Sequence, residues 1–210
     1  MSRSPVCSTA KGVPVPDRRL LFPVCAVAIT ALSACGTGGS PVPQPSTTSS
    51  ATSTASLPAR PKTISVTGLD PCSVLTTDQR RNLGLDRQPV KASASQADKH
   101  GNLACMYAKA NTDPRYEYLV TPVPQEGAEV SLRGDRGGQV KQVTVAGFGA
   151  VETRLSSSTT SCGVVVDVAP GQSLDVQFGL TTTGALTADQ ICGKAREGAE
   201  LIMQTLSARG

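Results

Sequence analysis

Alternating apolar and polar positions dominate the second half of the chain and predict a β-rich domain. Segments rich in Val, Thr and aromatic residues carry this pattern. They are 104–109, 116–122, 139–146, 150–155, 162–169 and 173–181. Apolar residues recur at helical spacing from Thr187 to about Ala208, and a shorter helix is predicted from Thr76 to about Gly84. The pattern predicts an α+β fold with a single domain. A mainly antiparallel sheet is packed by a short N-terminal helix and a long C-terminal helix.

Both predicted helices begin with the same pattern, L-T-x-D-Q, at 75–79 and 186–190. In each, Thr precedes Gln by three positions, which is the spacing of a capping box. The predicted pairs are Thr76 with Gln79 and Thr187 with Gln190. Helix capping explains this echo more simply than a duplicated unit does. Of the remaining stretches, 86–103 is predicted to be a polar loop and 123–137 to contain one helical turn.

The clearest hairpin flanks Pro170 and Gly171. Each of its strands has an apolar face, and both faces must be buried together, which predicts Val168 opposite Leu174 and three residues in the loop. The same register sets Asp167 opposite Asp175 on the outer face. We interpret them as two solvated carboxylates, and the alternative is that they share a cation or a Lys or Arg neighbour.

The first third of the chain has a different pattern. Residues 1–19 are polar and basic, and 20–32 form an apolar run that is too short to span a bilayer but typical of an export signal. Of the 27 residues in 36–62, 19 are Ser, Thr, Pro or Gly, which predicts an unpacked tether. We therefore expect a removed signal peptide (1–34), a disordered tether beginning at Cys35 (35–62) and a domain outside the cytoplasm (63–210).

Residues Leu32, Ser33, Ala34 and Cys35 resemble the lipobox of bacterial lipoproteins. The resemblance implies cleavage before Cys35 and attachment of a diacylglyceryl group, with acyl chains such as palmitate, to its thiol. Two acyl chains anchor a protein stably, whereas one does so only marginally. We therefore expect a lipid anchor on the outer face of the cell membrane. The alternative is an ordinary signal cut after Ala34, which leaves Cys35 as a free thiol.

The cysteines of the domain predict disulfides rather than a metal site. Four remain beyond Cys35, and an even number in an exported domain favours two disulfides. Three connectivities are possible, and sequential pairing, Cys72–Cys105 and Cys162–Cys192, closes the most local loops. No C-x-x-C spacing occurs, and His100 is the only histidine. We therefore expect no metal and no cofactor.

Charge and motifs indicate neither nucleic-acid binding nor a known catalytic site. The whole chain carries +4, but residues 63–210 hold 14 basic and 15 acidic residues, so no basic footprint for nucleic acid is present. There is no G-x-S-x-G, no P-loop and no dinucleotide fingerprint. We assign no catalytic residue.

Several short motifs stand in an order that resembles a known family. They are DPCSVLTTDQRRNLGL (70–85), a Cys opening a strand at 105, VAGFGAV (145–151), CGVVVDVAPGQSLDV (162–176) and ADQICGKAREGAELIMQTL (188–206). They resemble an actinobacterial lipoprotein family, domain of unknown function 3558, many members of which have Trp near the position of Tyr107. The resemblance implies a single α+β domain, a lipid anchor and paired cysteines. It also extends to sensor domains of actinobacterial receptor kinases.

The expected function is that of a membrane-anchored extracytoplasmic lipoprotein. We expect a non-enzymatic binding, sensing or accessory module, whose partners are the membrane, through the lipid, and an unknown envelope protein or small ligand. The resemblance implies no activity, since similar topology does not transfer function. The alternatives are a cell-envelope hydrolase and an accessory subunit of a secretion or transport system.

Overall fold

The computed structural model describes residues 56–93, 98–134 and 138–209. The signal segment, the lipobox and most of the expected tether lie outside these residues. The described part confirms the α+β prediction, with one antiparallel sheet in the order β1-β2-β3-β7-β6-β5-β4. The strands are β1 (Val90–Ser93), β2 (Leu103–Lys109), β3 (Tyr116–Val123), β4 (Gly138–Val145), β5 (Phe148–Leu155), β6 (Ser161–Ala169) and β7 (Gln172–Leu180). The helices are α1 (Thr77–Asn82) and α2 (Ala188–Arg209), with short 3₁₀ helices at Pro71–Ser73 and Ala128–Arg133.

One face of the sheet carries α2 and holds the main core. Tyr118 of β3, Val164 of β6 and Phe178 of β7 lie on this face and are fully buried. Along each strand, these residues alternate with residues that face the opposite side of the sheet, as side chains of a β-strand do. The apolar side of α2 covers them with Ile202 and Met203, both fully buried. The lean core of valines and small residues is closed by this single long helix.

Two disulfides attach the helical elements to the sheet. Cys72–Cys105 joins the first 3₁₀ helix to β2, and Cys162–Cys192 joins β6 to α2. This is the sequential pairing, which is thereby confirmed among the three possible connectivities. Both bridges lie on the face that carries α2, so they tie the layer of helices to β2 and β6 of the sheet.

The predicted register of the β6–β7 hairpin is wrong. Leu174 pairs with Val166 rather than Val168, and the turn contains only Pro170 and Gly171. A register shift between Asp167 and Ala169 makes Val168 an extra, bulged residue on β6. A bulge changes the parity of one strand, so both apolar faces stay buried without a three-residue loop.

The opposite face of the sheet is also covered, which corrects the expectation of solvated carboxylates there. Asp167 and Asp175 share this face but are not opposed, because Asp167 pairs with Ser173. Both are only 6% exposed. The 3₁₀ helix Ala128–Arg133 packs over this face, with Ser131 near Asp175. Arg60, from the segment 56–66, contacts Asp167 on the same face.

Residues 56–66, which we call the N-terminal strap, run from one face of the sheet to the other. Arg60 forms an ion pair with Asp167 (2.5 Å), and Lys62 donates to the carbonyl of Ser207 near the end of α2 (2.5 Å). The backbone N–H of Ile64 donates to the carbonyl of the bulged Val168 at 2.8 Å. The bulge thus provides the acceptor that holds the strap. Residues 56–62, placed in the tether by their composition, therefore contact the domain.

Candidate ligand-binding groove

The face of β4 and β5 that carries α2 is apolar at one end and charged at the other. Val145 and Phe148 are paired at the apolar end and fully buried. Further along the same face, Lys141 pairs with Glu152, and Arg154 follows two residues later on β5. Residues two apart on a strand share a face, so these charged side chains lie on the surface that continues the core. The face is therefore apolar where it is buried and polar where the core ends.

Two adjoining concavities lie above the charged end. Their volumes are about 510 and 480 Å³, and Gln139 and Arg154 line both. One wall is the first turn of α2, and the others are the loops 156–160 and 181–187. The hydroxyl side chains along the first concavity are those of Ser156, Ser158, Thr159, Thr160 and Thr183. We call the two concavities together the polar groove.

Two cations face the polar groove without an acidic partner among the described residues. Glu152 is neutralised by Arg196 of α2, with which it forms an ion pair. Lys141, although paired with Glu152 in the strand register, makes no ion pair within the described part of the chain. Arg154 donates to the amide oxygen of Gln139 at 2.8 Å, which leaves its charge uncompensated. Such a guanidinium retains most of its donors for a ligand.

Besides Glu152, Asp189 lines the groove as a second acidic residue. It lies in the first turn of α2, where a negative charge is favoured by the helix dipole. The N-terminal amides of α2 are partly capped, because Thr187 Oγ1 accepts from Gln190 N (3.3 Å) and Gln190 Oε1 accepts from Thr187 N (2.8 Å). The helix end is therefore a wall of the groove rather than an open anion site.

Contacts outside the groove hold its loop 181–187 in place. Thr182 Oγ1 donates to Asp113 at 2.8 Å, and Arg115 Nε donates to the same carboxylate at 3.1 Å. These hydrogen bonds, with that from Thr182 the larger cause, hold the pKa of Asp113 below its usual range. The backbone N–H of Arg115 also donates to Thr182 Oγ1 at 2.9 Å. The loop is thereby connected to the β2–β3 connection.

The other loop wall is held by hydroxyl and backbone contacts. The hydroxyls of Ser158 and Ser161 are 2.7 Å apart, and the backbone N–H of Leu180 donates to the carbonyl of Thr160 at 2.7 Å. The loop 156–160 is therefore tied to the start of β6 and the end of β7. A binding surface held in this way loses little conformational entropy when a ligand is bound.

A disulfide lies beside the groove where a metal cluster could otherwise be suspected. Potential ligand atoms of Glu152, Cys162 and Cys192 lie within 4.8 Å of one another. The two sulfurs are bonded to each other, and a disulfide lacks the thiolate that binds zinc. In this state the trio supplies one carboxylate, which already pairs with Arg196.

His100 lies on the opposite face of the sheet from the polar groove. Its Nε2 is 3.6 Å from a carboxylate oxygen of Glu126, which is also 3.2 Å from Lys99. Within residues 56–93, 98–134 and 138–209, no hydroxyl forms a hydrogen bond with the imidazole ring. A nucleophile and its base must be within hydrogen-bond reach, so the described residues place no hydroxyl nucleophile beside His100.

The two predicted capping pairs lie in different places relative to the groove. Thr187 and Gln190 cap α2 beside it, whereas Thr76 and Gln79 cap α1 in a reciprocal capping box. The lipobox residues and Cys35 lie outside the described residues. No helix in the described part is both long enough and apolar enough to cross a membrane.

Sequence reasoning missed the groove residues, although a signal for them exists. On β4 the positions that share a face run from polar Gln139 and Lys141 to buried Val145, and on β5 from buried Phe148 to Arg154. A face that changes from apolar to charged within one strand pair indicates the border of a covered surface. The walls come from irregular loops, whose position no periodicity predicts.

One family model matches the chain. It is described as a protein of unknown function, DUF3558, and the match spans residues 30–205. The matched region therefore includes the described domain almost completely and begins five residues before Cys35. No curated protein and no solved structure matches this chain.

Proposed function

We propose a function for this chain as a member of the DUF3558 family of proteins of unknown function, to which it belongs. It is a lipoprotein, anchored outside the cytoplasm to an actinobacterial cell membrane by a diacylglyceryl group on Cys35. Its domain is a non-enzymatic module that binds a ligand or partner in the cell envelope. The observation that carries this proposal is the sequence Leu32-Ser33-Ala34-Cys35 at the boundary between an apolar run and a polar, Ser- and Thr-rich segment.

Two further observations support export and anchoring. The four cysteines of the described residues all form disulfides, which persist in oxidising compartments outside the cytoplasm. The family match begins at residue 30, so the lipobox region belongs to the segment that the family shares. Export would bring the four paired cysteines into an oxidising compartment. The lipid would account for Cys35, the one cysteine after the signal segment that does not belong to these pairs.

Binding is supported by the polar groove. It combines two cations that make no ion pair within the described residues, Lys141 and Arg154, with a row of hydroxyl side chains on firmly held loops. Lys141 is exposed and Arg154 is half-buried, so both charged groups are accessible to a ligand. Such a surface suits recognition of a polar molecule outside the membrane.

Substitution of Cys35 tests the anchor directly. Cys35→Ala is expected to move the full chain out of the membrane fraction or to stop its maturation. The matched control is Cys25→Ala within the apolar run, which should leave both unchanged. Mass spectrometry of the mature wild-type chain should find an N-terminal peptide that begins at Cys35 and carries the lipid.

The anchor proposal fails if Cys35→Ala leaves membrane attachment and processing as in the wild type. It also fails if the mature protein begins elsewhere or carries an unmodified Cys35. An ordinary signal peptide would give the second result, with a soluble domain cut after Ala34.

A further inference from the structure

We propose that the polar groove binds a small hydroxylated anion, of which sugar acids and sugar phosphates are representatives. This inference rests on the proposed function as a binding module and gives it a site and a ligand class. It does not depend on the lipid anchor. The shared chemistry is one anionic group together with several hydroxyls.

The anionic part follows from the charges on the groove floor. Lys141 and Arg154 lie diagonally across β4 and β5, because Lys141 pairs with Glu152 and Arg154 pairs with Gln139. The negative charge of Glu152 is neutralised by its ion pair with Arg196, so it does not reduce the positive charge of the groove. With Asp189 counted, the groove retains one positive charge, and the arginine fork favours a carboxylate or phosphate over an isolated point charge.

The hydroxylated part follows from the groove walls. Ser156, Thr159 and Thr183 are exposed along the first concavity, and a hydroxyl both donates and accepts hydrogen bonds. Side chains of this kind match a ligand that itself carries hydroxyl groups. A purely apolar ligand would cover these groups and both cations without replacing their hydrogen bonds to water, which is unfavourable.

The size of the groove is consistent with one small ligand. Each concavity, at about 510 or 480 Å³, lies within the usual range for small-molecule sites, roughly 300–1,000 Å³. Gln139 and Arg154 are common to both. A ligand whose anionic group contacts Arg154 can therefore extend its hydroxyls toward the loop 156–160.

Titration calorimetry on the full-length mature protein, purified in detergent from whichever cell fraction contains it, tests the proposal. The probes are glucose 6-phosphate and glucuronate, with neutral glucose as the control, at low ionic strength. At least one anionic probe is expected to bind, with glucose weaker by about tenfold or more, since a charge-assisted hydrogen bond contributes about 1.5–3 kcal/mol. The two anionic probes distinguish a phosphate site from a carboxylate site.

The matched variants carry the same change in net charge at opposite edges of the sheet. Lys141→Gln with Arg154→Gln should weaken binding about tenfold or more, whereas Arg87→Gln with Lys91→Gln, at the β1 edge, should leave it unchanged. A further double variant, Lys141→Gln with Arg154→Lys, retains the positive charge at position 154. It should bind more tightly than Lys141→Gln with Arg154→Gln. Circular dichroism checks that each variant is folded.

Three results would overturn the inference: no binding of either anionic probe, glucose binding as tightly as they do, or an equal loss in both double variants. Any of them, obtained with a protein that is membrane-attached through Cys35, would reject the groove site and leave the anchor standing. Binding in the groove by a protein that is not anchored would do the reverse.

Discussion

The ring of Tyr118 on β3 lies directly against Gly198 on α2, where an added β-carbon would come within 2.8 Å of Tyr118 Cδ1. The same tyrosine donates its hydroxyl hydrogen to the carbonyl of Lys194, one turn earlier, at 3.1 Å. Gly198 therefore allows the backbone of α2 to pass close to this ring. Close approach of backbone to a neighbour is a recurrent reason for glycine within a helix.

Gly198→Ala is expected to destabilise the protein although alanine is the better helix former. Overpacking costs about 1–3 kcal/mol, against a gain of about 1 kcal/mol in helix propensity. The free energy of unfolding in urea, measured by circular dichroism, should therefore fall. Gly193→Ala on the same helix is the control, because no atom of the described residues, beyond its chain neighbours and the adjacent backbone of α2, lies within 4 Å of its added β-carbon. That variant should gain about 0.5–1 kcal/mol, and an equal gain in both would refute the close packing.

Gln79 and Gln190 occupy the same place in identical cap patterns but have different tasks in the structure. Among the described residues, the hydrogen bonds of the Gln190 cap are made with Thr187 alone. Gln79 Oε1 accepts from Thr76 N and from Thr205 Oγ1, both at 2.8 Å, and its Nε2 donates to the carbonyl of Leu201 at 2.8 Å. The cap of α1 is therefore also the joint between α1 and α2.

Gln79→Ala should accordingly cost more stability than Gln190→Ala. With about 1 kcal/mol for a typical hydrogen bond, we expect a loss of about 2 kcal/mol for Gln79 and under about 1 kcal/mol for Gln190. Both changes have the same effect on helix propensity, so the difference reports the joint. Chemical denaturation measures both variants, and equal losses would show that the contacts with α2 contribute nothing.

The ion pair between Arg60 and Asp167 fastens the N-terminal strap over a buried carboxylate. The Asp167 side chain is 8% exposed, and its Oδ1 accepts no hydrogen bond within the described residues. Arg60→Ala leaves this charge without its cation and should lower the free energy of unfolding by about 2 kcal/mol, since a partly exposed arginine leaves room for water. Asp167→Asn in the Arg60→Ala background should recover part of the loss.

An exposed ion pair provides the control for this cycle. Arg81 and Asp78 lie on α1 with side chains 72% and 82% exposed. Such pairs contribute about 0–1 kcal/mol, so Arg81→Ala should have little effect on unfolding. If Arg60→Ala were as mild as Arg81→Ala, or if Asp167→Asn gave no recovery, the strap would not depend on this pair.

The elements with regular periodicity were predictable from the sequence, and those with irregular backbone were not. The six predicted strands and two helices are present because alternation and helical spacing reflect which side of each element is buried. β1 was missed because Val90–Ser93 is short, mostly exposed and lies within a polar segment. The hairpin register was wrong because a bulge at Val168 corrects parity without leaving a signal in the sequence.

The burial of Asp167 and the polar groove were unpredictable for a related reason. A polar position on a strand is normally assigned to solvent, because solvent is the commonest partner of an outer face. Here the 3₁₀ helix Ala128–Arg133 and the N-terminal strap cover one polar surface, and two loops form walls around the other. These covering segments have no period, so the sequence predicts the polar positions but not what lies above them.

The buried tyrosines make stability depend on pH in the alkaline range. Burial raises the pKa of Tyr107 to about 12 and also raises that of Tyr118, from an ordinary value near 10. The folded state therefore holds these protons more tightly than the unfolded state. The resulting stability is complete below about pH 10 and is lost as the pH rises through the folded pKa. Tyr107 also donates to the carbonyl of Pro71 at 2.6 Å, and ionisation removes that donor.

Alkaline titration should consequently unfold the protein as its tyrosines ionise. The chain has three tyrosines and no tryptophan, so tyrosinate absorbance and circular dichroism can be followed together and should change in one transition above pH 10. Tyr107→Phe should lower stability at neutral pH by about 1 kcal/mol through the lost hydrogen bond. It should also weaken the dependence on pH, because one of the shifted groups is gone. Ionisation of all three tyrosines near pH 10 with an unchanged dichroism spectrum would show that these hydroxyls are not held in the buried core.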